Sequence, residues 1–512
     1  MTWLNLRLSD ACQLVTDGTH HSPPNGQSGP FLYVTAKNIR PWGLDISDIT
    51  YVSADVHREI YARCPVEQGD VLYIKDGVTT GLAAVNHLER PFSLLSSVAL
   101  LKPRRDLLDP HFLKHWLNSP ETVALMTGNM NGSAIRRLVL KQIREAEILL
   151  PPLVHQRLIV SKVESLTARS RRAKEALDAV PALLEQFRQS VLAAAFRGDL
   201  TAAWREKNPD VEPAEVLLQR IRTERRRRWE EAELAKMRAK GKVPGDDRWK
   251  EKYEEPEPVD ASELPELPEG WAWVRLPECG SLERGRSRHR PRNDPALFGG
   301  SYPFIQTGDV AQSGGTISKY SQTYNETGLT QSKLFRAGTV CITIAANIAN
   351  SGVLNIDACF PDSVVGVTVD RSIVSPEYLE FYVRHVRADI SAFAPGTAQK
   401  NINLEILGDV AIPIPPASER VAIERRLQEL FSLAERHLLT AKQSLLELNS
   451  LDRAILSKAF RGELVPQDPT DEPASVLLER LRTEAAEPTG KKPKGGKRRG
   501  AEGRNGGAAS VE

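Results

Sequence analysis

The words Ala-Phe-Arg-Gly begin at Ala195 and again at Ala459, 264 residues further on, and they close a much longer repeated text. At the same offset Pro151-Pro152 aligns with Pro415-Pro416, inside ILLPPLVHQRLIVSKVESL from Ile148 and IPIPPASERVAIERRLQEL from Ile412. Downstream, EPAEVLLQRIRTE from Glu212 matches EPASVLLERLRTE from Glu472. Fainter echoes lie upstream: GDVLYIKDGVTTGLAAV from Gly69 against GTVCITIAANIANSGVL from Gly338, and Pro110-His111-Phe112-Leu113 against Pro376-Glu377-Tyr378-Leu379. Identical words in identical order impose a chain written twice: globular half, helix, linker, globular half, helix, tail. The helical words match better than the globular ones. At 512 residues the chain suits three or four modules rather than one core.

Between Pro152 and Gly198 apolar or small residues recur at alternating gaps of four and three, the heptad stripe of a coiled coil. The first seam is Ile159, Val163, Leu166, Ser170, Ala173, Leu177, Val180, Leu184, Phe187, Val191 and Ala194. Its counterparts are Ile423, Leu427, Leu430, Ala434, His437, Ala441, Ser444, Leu448, Leu451, Ile455 and Lys458. One apolar stripe stays wet until something covers it, so two helices of equal length are expected to pack together. At 1.5 Å per residue each rod is about 52 Å long. Antiparallel packing would put the two globular halves at opposite ends, parallel packing side by side, and the pattern alone permits both. Pro181 is expected to kink or split the first helix, Gly198 and Gly462 to cap the helix ends, and His437 to be a partly buried packing residue.

Residues 1–150 and 271–412 carry short β-branched and aromatic runs between turn residues, such as FLYVTAKNI from Phe31, TVCITIA from Thr339 and SVVGVTV from Ser363. With helical words such as HFLKHWL from His111, each half is expected to be an α+β domain. Residues 205–268 hold the run Glu224-Arg225-Arg226-Arg227-Arg228 and then Pro/Glu-rich text, expected as a helical extension and an exposed linker. The arginine run reads first as a solvated helix face and second as a phosphate contact. The Gly/Lys-rich tail from Lys491 is expected to be disordered.

Composition narrows the chemistry. A formal net charge of +2 leaves any nucleic-acid surface to a local patch. The five cysteines form no CxxC pair, which suits a reduced cytoplasmic protein. No secretory leader or membrane-length apolar run is expected. The GxxxxGK[ST] phosphate loop, the Asn/Asp-Pro-Pro-Tyr/Phe tetrad of amino methyltransferases, HExxH and zinc-deaminase patterns are all missing from the text. His20-His21 reads as an exposed loop rather than a metal site. No catalytic, cofactor-binding or metal-ligating residue is therefore assigned. Side chains able to read base edges or hold phosphates are present in both halves. In the first they are Lys37, Asn38, Lys75, Thr79, Thr80, Asn131, Arg136 and Arg137. In the second they are Gln306, Thr307, Asn325, Gln331, Ser332, Lys333, Asn347, Gln399, Lys400 and Asn401.

TDGTHHSPP from Thr16, GPFLYVTAKNI from Gly29, NGSAIRRL from Asn131, PFIQTGDV from Pro303, the stretch from Tyr324 to Gly366, both proline-pair junctions and LLEQFRQSVLAAAFRGDLT together resemble the specificity subunit of type I restriction-modification systems. The resemblance covers about residues 1–204 and 271–465. It implies an α+β architecture of two target recognition domains, at 1–150 and 271–412. Two long helices, within 151–204 and 413–465, would pack as an antiparallel coiled coil. The extension and linker at 205–270 and the tail at 466–512 are departures from the family's economy. It further implies a non-catalytic, cytoplasmic subunit that binds a bipartite duplex DNA target and docks two methyltransferase and two restriction/translocase subunits. S-adenosylmethionine, ATP and Mg2+ would belong to those partners. A duplicated scaffold without DNA function, or a catalytic DNA enzyme, are the alternatives. The scaffold does not explain dissimilar globular halves on near-identical helical words, and a fused enzyme would need methyl-transfer and nuclease motifs that the text lacks.

Overall fold

The computed structural model describes residues 3–128, 137–241, 244, 246–392, 402–466, 475–476, 479–480 and 483. Four long helices organise it: α1 (Leu153–Asp178), α2 (Val180–Phe196), α3 (Ala214–Ala239) and α4 (Ala417–Phe460). The expected break at Pro181 takes the form of a bend. Ala179, at φ −78° and ψ −18°, separates α1 from α2, and Pro181 sits in the first turn of α2, where its missing N–H costs nothing. The other copy has no proline there, and α4 runs through 44 residues. Gly198 and Gly462 adopt left-handed φ of 79° and 76° after α2 and α4. At the second, Glu463 N donates to Lys458 O (2.9 Å) and Gly462 N to Ala459 O (3.3 Å), a Schellman close.

The chain divides into two compact units: residues 1–177 with 443–512, and residues 178–442. Each unit therefore combines one globular half with parts of both repeated helices. In the first unit, strands β1 (Leu4–Arg7), β2 (Cys12–Asp17), β3 (Val71–Ile74), β4 (Ala83–Val85), β5 (Val98–Pro103) and β6 (Glu147–Leu150) carry the core. The main sheet has order β2-β5-β3-β4, all antiparallel, and β1 pairs with β6. All four residues of β3 are buried, as its unbroken Val-Leu-Tyr-Ile run demands. Ile159 and Val163 of α1 and Ile455 and Ala459 of α4 join this core, and Lys174 Nζ meets Asp452 Oδ2 at 2.6 Å.

In the second unit the strands are β7 (Ala272–Arg275), β8 (Gly280–Arg284), β9 (Thr316–Ile317), β10 (Val340–Thr343), β11 (Ser351–Leu354), β12 (Val364–Val369) and β13 (Ala411–Ile414). Their main sheet has order β8-β12-β10-β11-β9, which is the first unit's topology plus one edge strand. β7 pairs with β13 as β1 does with β6. Val191, Leu192 and Phe196 of α2 pack in one core with Ile423 and Leu427 of α4, and Arg188 meets Glu435 at 3.2 Å. The echoing Pro110 and Pro376 words both open helices. Asp109 accepts from the amides of His111 and Phe112, and Ser375 from that of Tyr378, with proline in the first turn each time.

The extension after α2 folds back on itself. Ala214 and Leu218 of α3 are buried in the second unit's core, and Trp229 lies against Trp249 (6.2 Å) and Tyr253 (5.4 Å). The arginine run is already paired: Arg225 with Asp370 (2.7 Å), Arg226 with Glu255 (2.9 Å), and Arg227 and Arg228 with Glu224 (2.7 and 2.8 Å). These hydrogen bonds hold the Glu224 carboxyl down to about 2. The tail from Lys491 lies outside the described residues.

The seam follows the expected stripe through α1 and α2, where Ser170 and Val191 are also buried, Leu166, Ala173, Leu177, Val180, Leu184 and Ala194 are half-buried, and Phe187 is exposed at 37%. In α4 it departs from expectation after Ala434. His437 is exposed, Leu451 is 50% exposed and Lys458 is exposed, while Leu438, Leu445, Asp452 and Ala459 turn inward. Ala441, Leu448 and Ile455 are common to both patterns. The consecutive gaps of four at Leu430, Ala434 and Leu438 are a stutter. A straight helix drifts by about 20° per heptad, and an eleven-residue step brings the stripe back into line.

Candidate nucleic-acid interface

In each unit three chain segments leave one end of the main sheet together. In the first unit β2 ends at Asp17 opposite Ala99, and β3 ends at Ile74 opposite Val98. In the second, β8 ends at Arg284 opposite Val365, and β10 ends at Thr343 opposite Val364. The chain after β2 or β8 continues as an arm, and the strand pair β3–β4 or β10–β11 closes in an exposed hairpin tip. A third segment returns beside that tip: Leu138 N donates to Lys75 O (2.8 Å), and Ile402 N donates to Ile344 O (2.9 Å). Leu138 and Ile402 are 264 residues apart, so the platform is duplicated along with the text.

The tips are built differently. The first turns on Gly77 and Gly81, at φ 103° and 98°, and exposes Val78 and Thr79. Thr80 Oγ1 donates to Gly77 O at 2.7 Å. The second uses Ala346 and Ala349 at φ 62° and 55°, a left-handed backbone that costs alanine on the order of 1 kcal/mol each. Its shape is held from below: Thr343 N donates to Asn350 O (2.9 Å) and Ala349 N to Thr343 O (2.9 Å), leaving Asn347 exposed at the tip.

The arms start alike and diverge. Each follows its strand with a glycine, Gly18 or Gly285, where a Cβ would overlap the carbonyl oxygen of Leu94 or of Phe360. After Gly18 come Thr19, His20 and His21. Buried Asp17 pairs with Lys75 Nζ (3.2 Å) and Arg63 (2.5 Å), and Arg63 also reaches His20 Nε2 (3.0 Å). After Gly285 come Arg286, Ser287, Arg288, His289, Arg290 and Arg292. Arg284, Arg286 and Arg288 are exposed, with Gly285 and Ser287 buried between them. These arginines were not among the residues singled out from sequence. Their signal is plain in retrospect: arginine at every second position from 284 to 292, continuing a strand.

Several expected contact residues are committed elsewhere. Asn38 is buried at 2%, accepts from Thr35 N and donates to Asp45 O and Asp48 O. Lys75 is buried on Asp17, and Lys37 pairs with Asp48 (3.0 Å). Asn325 caps a helix by accepting from Gly328 N, and its amide donates to Ala296 O and Phe298 O. Gln331 accepts from His289 N and donates to Gly328 O, so it shapes the base of the arginine arm. Lys333 pairs with Glu283, and Ser332 Oγ donates to Arg286 O. Arg137 stands 3.6 Å from Asp76. Gln306 donates to Gln322 Oε1 (2.8 Å) and is half-buried beside Thr307. Thr79, Thr80 and Asn347 lie on the tips. Asn131, Arg136, Gln399, Lys400 and Asn401 lie outside the described residues.

Among the described residues no group of three or more His, Cys, Asp or Glu could hold a metal ion, and no helix is long and apolar enough to cross a membrane. All five cysteines are buried, and burial pushes the Cys12 and Cys64 thiols up to about 12, the opposite of an activated nucleophile.

Residues 268–445 match the family described as the type I restriction modification DNA specificity domain. The chain is 26% identical over 400 residues to the type I restriction enzyme EcoDI specificity subunit of Escherichia coli, covering 75% of this chain and 79% of that one. It is 23% identical to the EcoKI specificity subunit of Escherichia coli K12, covering 90% and 89%. In fold it matches the HsdS subunit from Thermoanaerobacter tengcongensis at a TM-score of 0.54 and 20% identity, covering 90% of this chain and 97% of that chain. A chain from a structure of the type I R-M system matches at 0.60 and 20%, covering 90% and 98%. Twin sheet-end platforms, a repeated helical frame and relatives matched over most of their length converge: residues 268–445 match the type I restriction modification DNA specificity domain, and the chain is similar to type I specificity subunits over most of its length.

Proposed function

We propose that this chain is the sequence-reading, non-catalytic subunit of a type I restriction-modification complex, binding an asymmetric bipartite duplex. The observation that carries this is the platform built twice on one topology with different side chains at its tips. Different base edges require different donors and acceptors, so an asymmetric target calls for dissimilar readers on a common frame. Of the expected residues, Thr79, Thr80 and Asn347, which lie on the hairpin tips, are the ones that meet DNA in this reading. The two halves of 1–150 and 271–412 act as separate reading domains, joined through 151–204 and 413–465, with 205–270 and 466–512 as additions. The methyltransferase subunits, two per complex, bind S-adenosylmethionine and methylate adenine N6. Two restriction subunits bring ATP and Mg2+, and the assembly works on chromosomal DNA in the cytoplasm.

The repeated helices pair antiparallel and set the spacer between the half-sites. Two ion pairs support that sense: Lys174 reaches Asp452 in one unit and Arg188 reaches Glu435 in the other, so position rises along one helix as it falls along the other. The test is exchange. A complex in which residues 1–150 come from a relative is expected to methylate a target changed in one half-site only, as mapped across a genome. Change in both halves would sink the modular reading.

A further inference from the structure

We infer that Arg284, Arg286 and Arg288 form a comb that grips successive phosphates of one DNA strand; this rests on the DNA-reading assignment and adds where its salt-dependent grip lies.

Burial alternates along this stretch. Gly285 N donates to Val364 O (2.9 Å) and Arg286 N to Phe360 O (3.0 Å), pinning the arm to the sheet edge, while Gly285 and Ser287 face inward. The arginines between them therefore project from one side at every second residue. Full extension sets an upper bound of about 6.7 Å on that repeat, a spacing that long arginine side chains can match to neighbouring phosphates along a DNA strand.

Second, these three guanidinium groups are uncommitted. Arg292 is held by Asp362 (2.8 Å) and Arg290 donates to Ser287 O, whereas Arg284, Arg286 and Arg288 have no carboxylate within ion-pair distance among the described residues. This contrasts with Arg225, Arg226, Arg227 and Arg228 of α3, each of which holds an acid. In a chain of net charge +2, three arginines without a carboxylate partner at every second position make a local positive patch beside an exposed hairpin tip. Guanidinium suits this task because its planar fork bonds phosphate oxygens bidentately and stays charged.

Third, the arm is built to hold its shape. Ser332 Oγ donates to Arg286 O, and Gln331 accepts from His289 N, so two residues of a neighbouring loop fix the backbone that bears the arginines. Gly285 permits the close crossing over Phe360 that aims them. Rigid presentation lowers the ordering cost of binding.

The experiment uses the full chain in complex with its methyltransferase partner. Two duplexes of equal length are needed, one holding the mapped target and one scrambled. Affinity is measured from about 50 to 200 mM salt for the unmodified complex, for R284Q/R286Q/R288Q and for R284K/R286K/R288K. Each phosphate contact contributes about 0.9 to the slope of log affinity against log salt, so the glutamine variant is expected to lose about 2.7 from that slope. Low-salt affinity should fall more than ten-fold on both duplexes alike, and the lysine variant should recover most of the slope. An unchanged slope overturns the comb. So does a loss confined to the target duplex with relaxed preference at one base pair, which would make these arginines base readers. Failure of the unmodified complex to prefer its target would instead strike the DNA-reading assignment, an outcome the scrambled duplex separates from the others.

Discussion

Asp17 and Arg284 occupy the same place in their units, the last residue of a strand that opens onto an arm, and they could hardly be more different. Asp17 is buried and gathers Lys75, Arg63 and His20 around it. Arg284 is exposed, and its guanidinium pairs with no carboxylate among the described residues. In the first unit charge is spent inward, on fixing the arm and the hairpin to each other. In the second, Arg284, Arg286 and Arg288 are left outward, and Gln331, Ser332 and backbone bonds fix the arm at its base, with an Arg292–Asp362 pair further along. One topology therefore tolerates opposite electrostatic solutions at its tip, provided the strand ends and the crossing glycine are kept. Family frame and individual specificity can change independently for that reason.

The sharpest way to break this contrast is to remove both residues. Asp17→Ala leaves Lys75, exposed at only 2%, without its counter-charge, and truncating one partner of a buried pair costs about 3–5 kcal/mol. Calorimetry should show the first unit melting earlier. Asp17→Ala with Lys75→Met should recover much of the loss, because the stranded charge is gone. Arg284→Ala should shift stability by no more than about 0.5 kcal/mol. Equal effects of the two single substitutions would mean that the tips are not organised oppositely.

The glycines test what the units share. Gly18→Ala and Gly285→Ala each drive a methyl group into a backbone carbonyl, that of Leu94 or of Phe360, and overpacking of this kind costs about 1–3 kcal/mol. Both should also loosen the arms, read as faster proteolytic cleavage near residues 19–24 and 286–292. If only one glycine proved sensitive, the arms would not be equivalent structures.

The frame was legible in the sequence and the tips were not, for a physical reason. Apolar periodicity reports burial, and the runs at Val71–Ile74, Val340–Thr343 and Val364–Val369 could only be strands in a covered sheet. Repetition reported the helices. A polar residue in a turn word is ambiguous, since Asn38, Asn325 and Gln331 can satisfy backbone groups as well as they can face a base, and here they cap and brace. Lys75 illustrates the same ambiguity for charge. The arginine arm carries its meaning in the period of two, which no single arginine displays.

The seam gives the finest comparison, between two copies of one helical text. The first copy breaks at Ala179, which resets its phase, and it keeps the strict alternation that places Ala173 inward. The second is continuous and must absorb the mismatch between 3.6 and 3.5 residues per turn over 44 residues, so it inserts a stutter and turns Leu438 inward in place of His437. Truncating Leu438, which is half-buried, should cost about 1 kcal/mol, whereas His437→Ala should stay within about 0.5 kcal/mol. In a unit of this size that is a melting shift of about 2–4 °C against almost none. The reverse ranking would put His437 in the seam and require the continuous helix to be underwound into a regular heptad coil, erasing the difference between broken and unbroken copies.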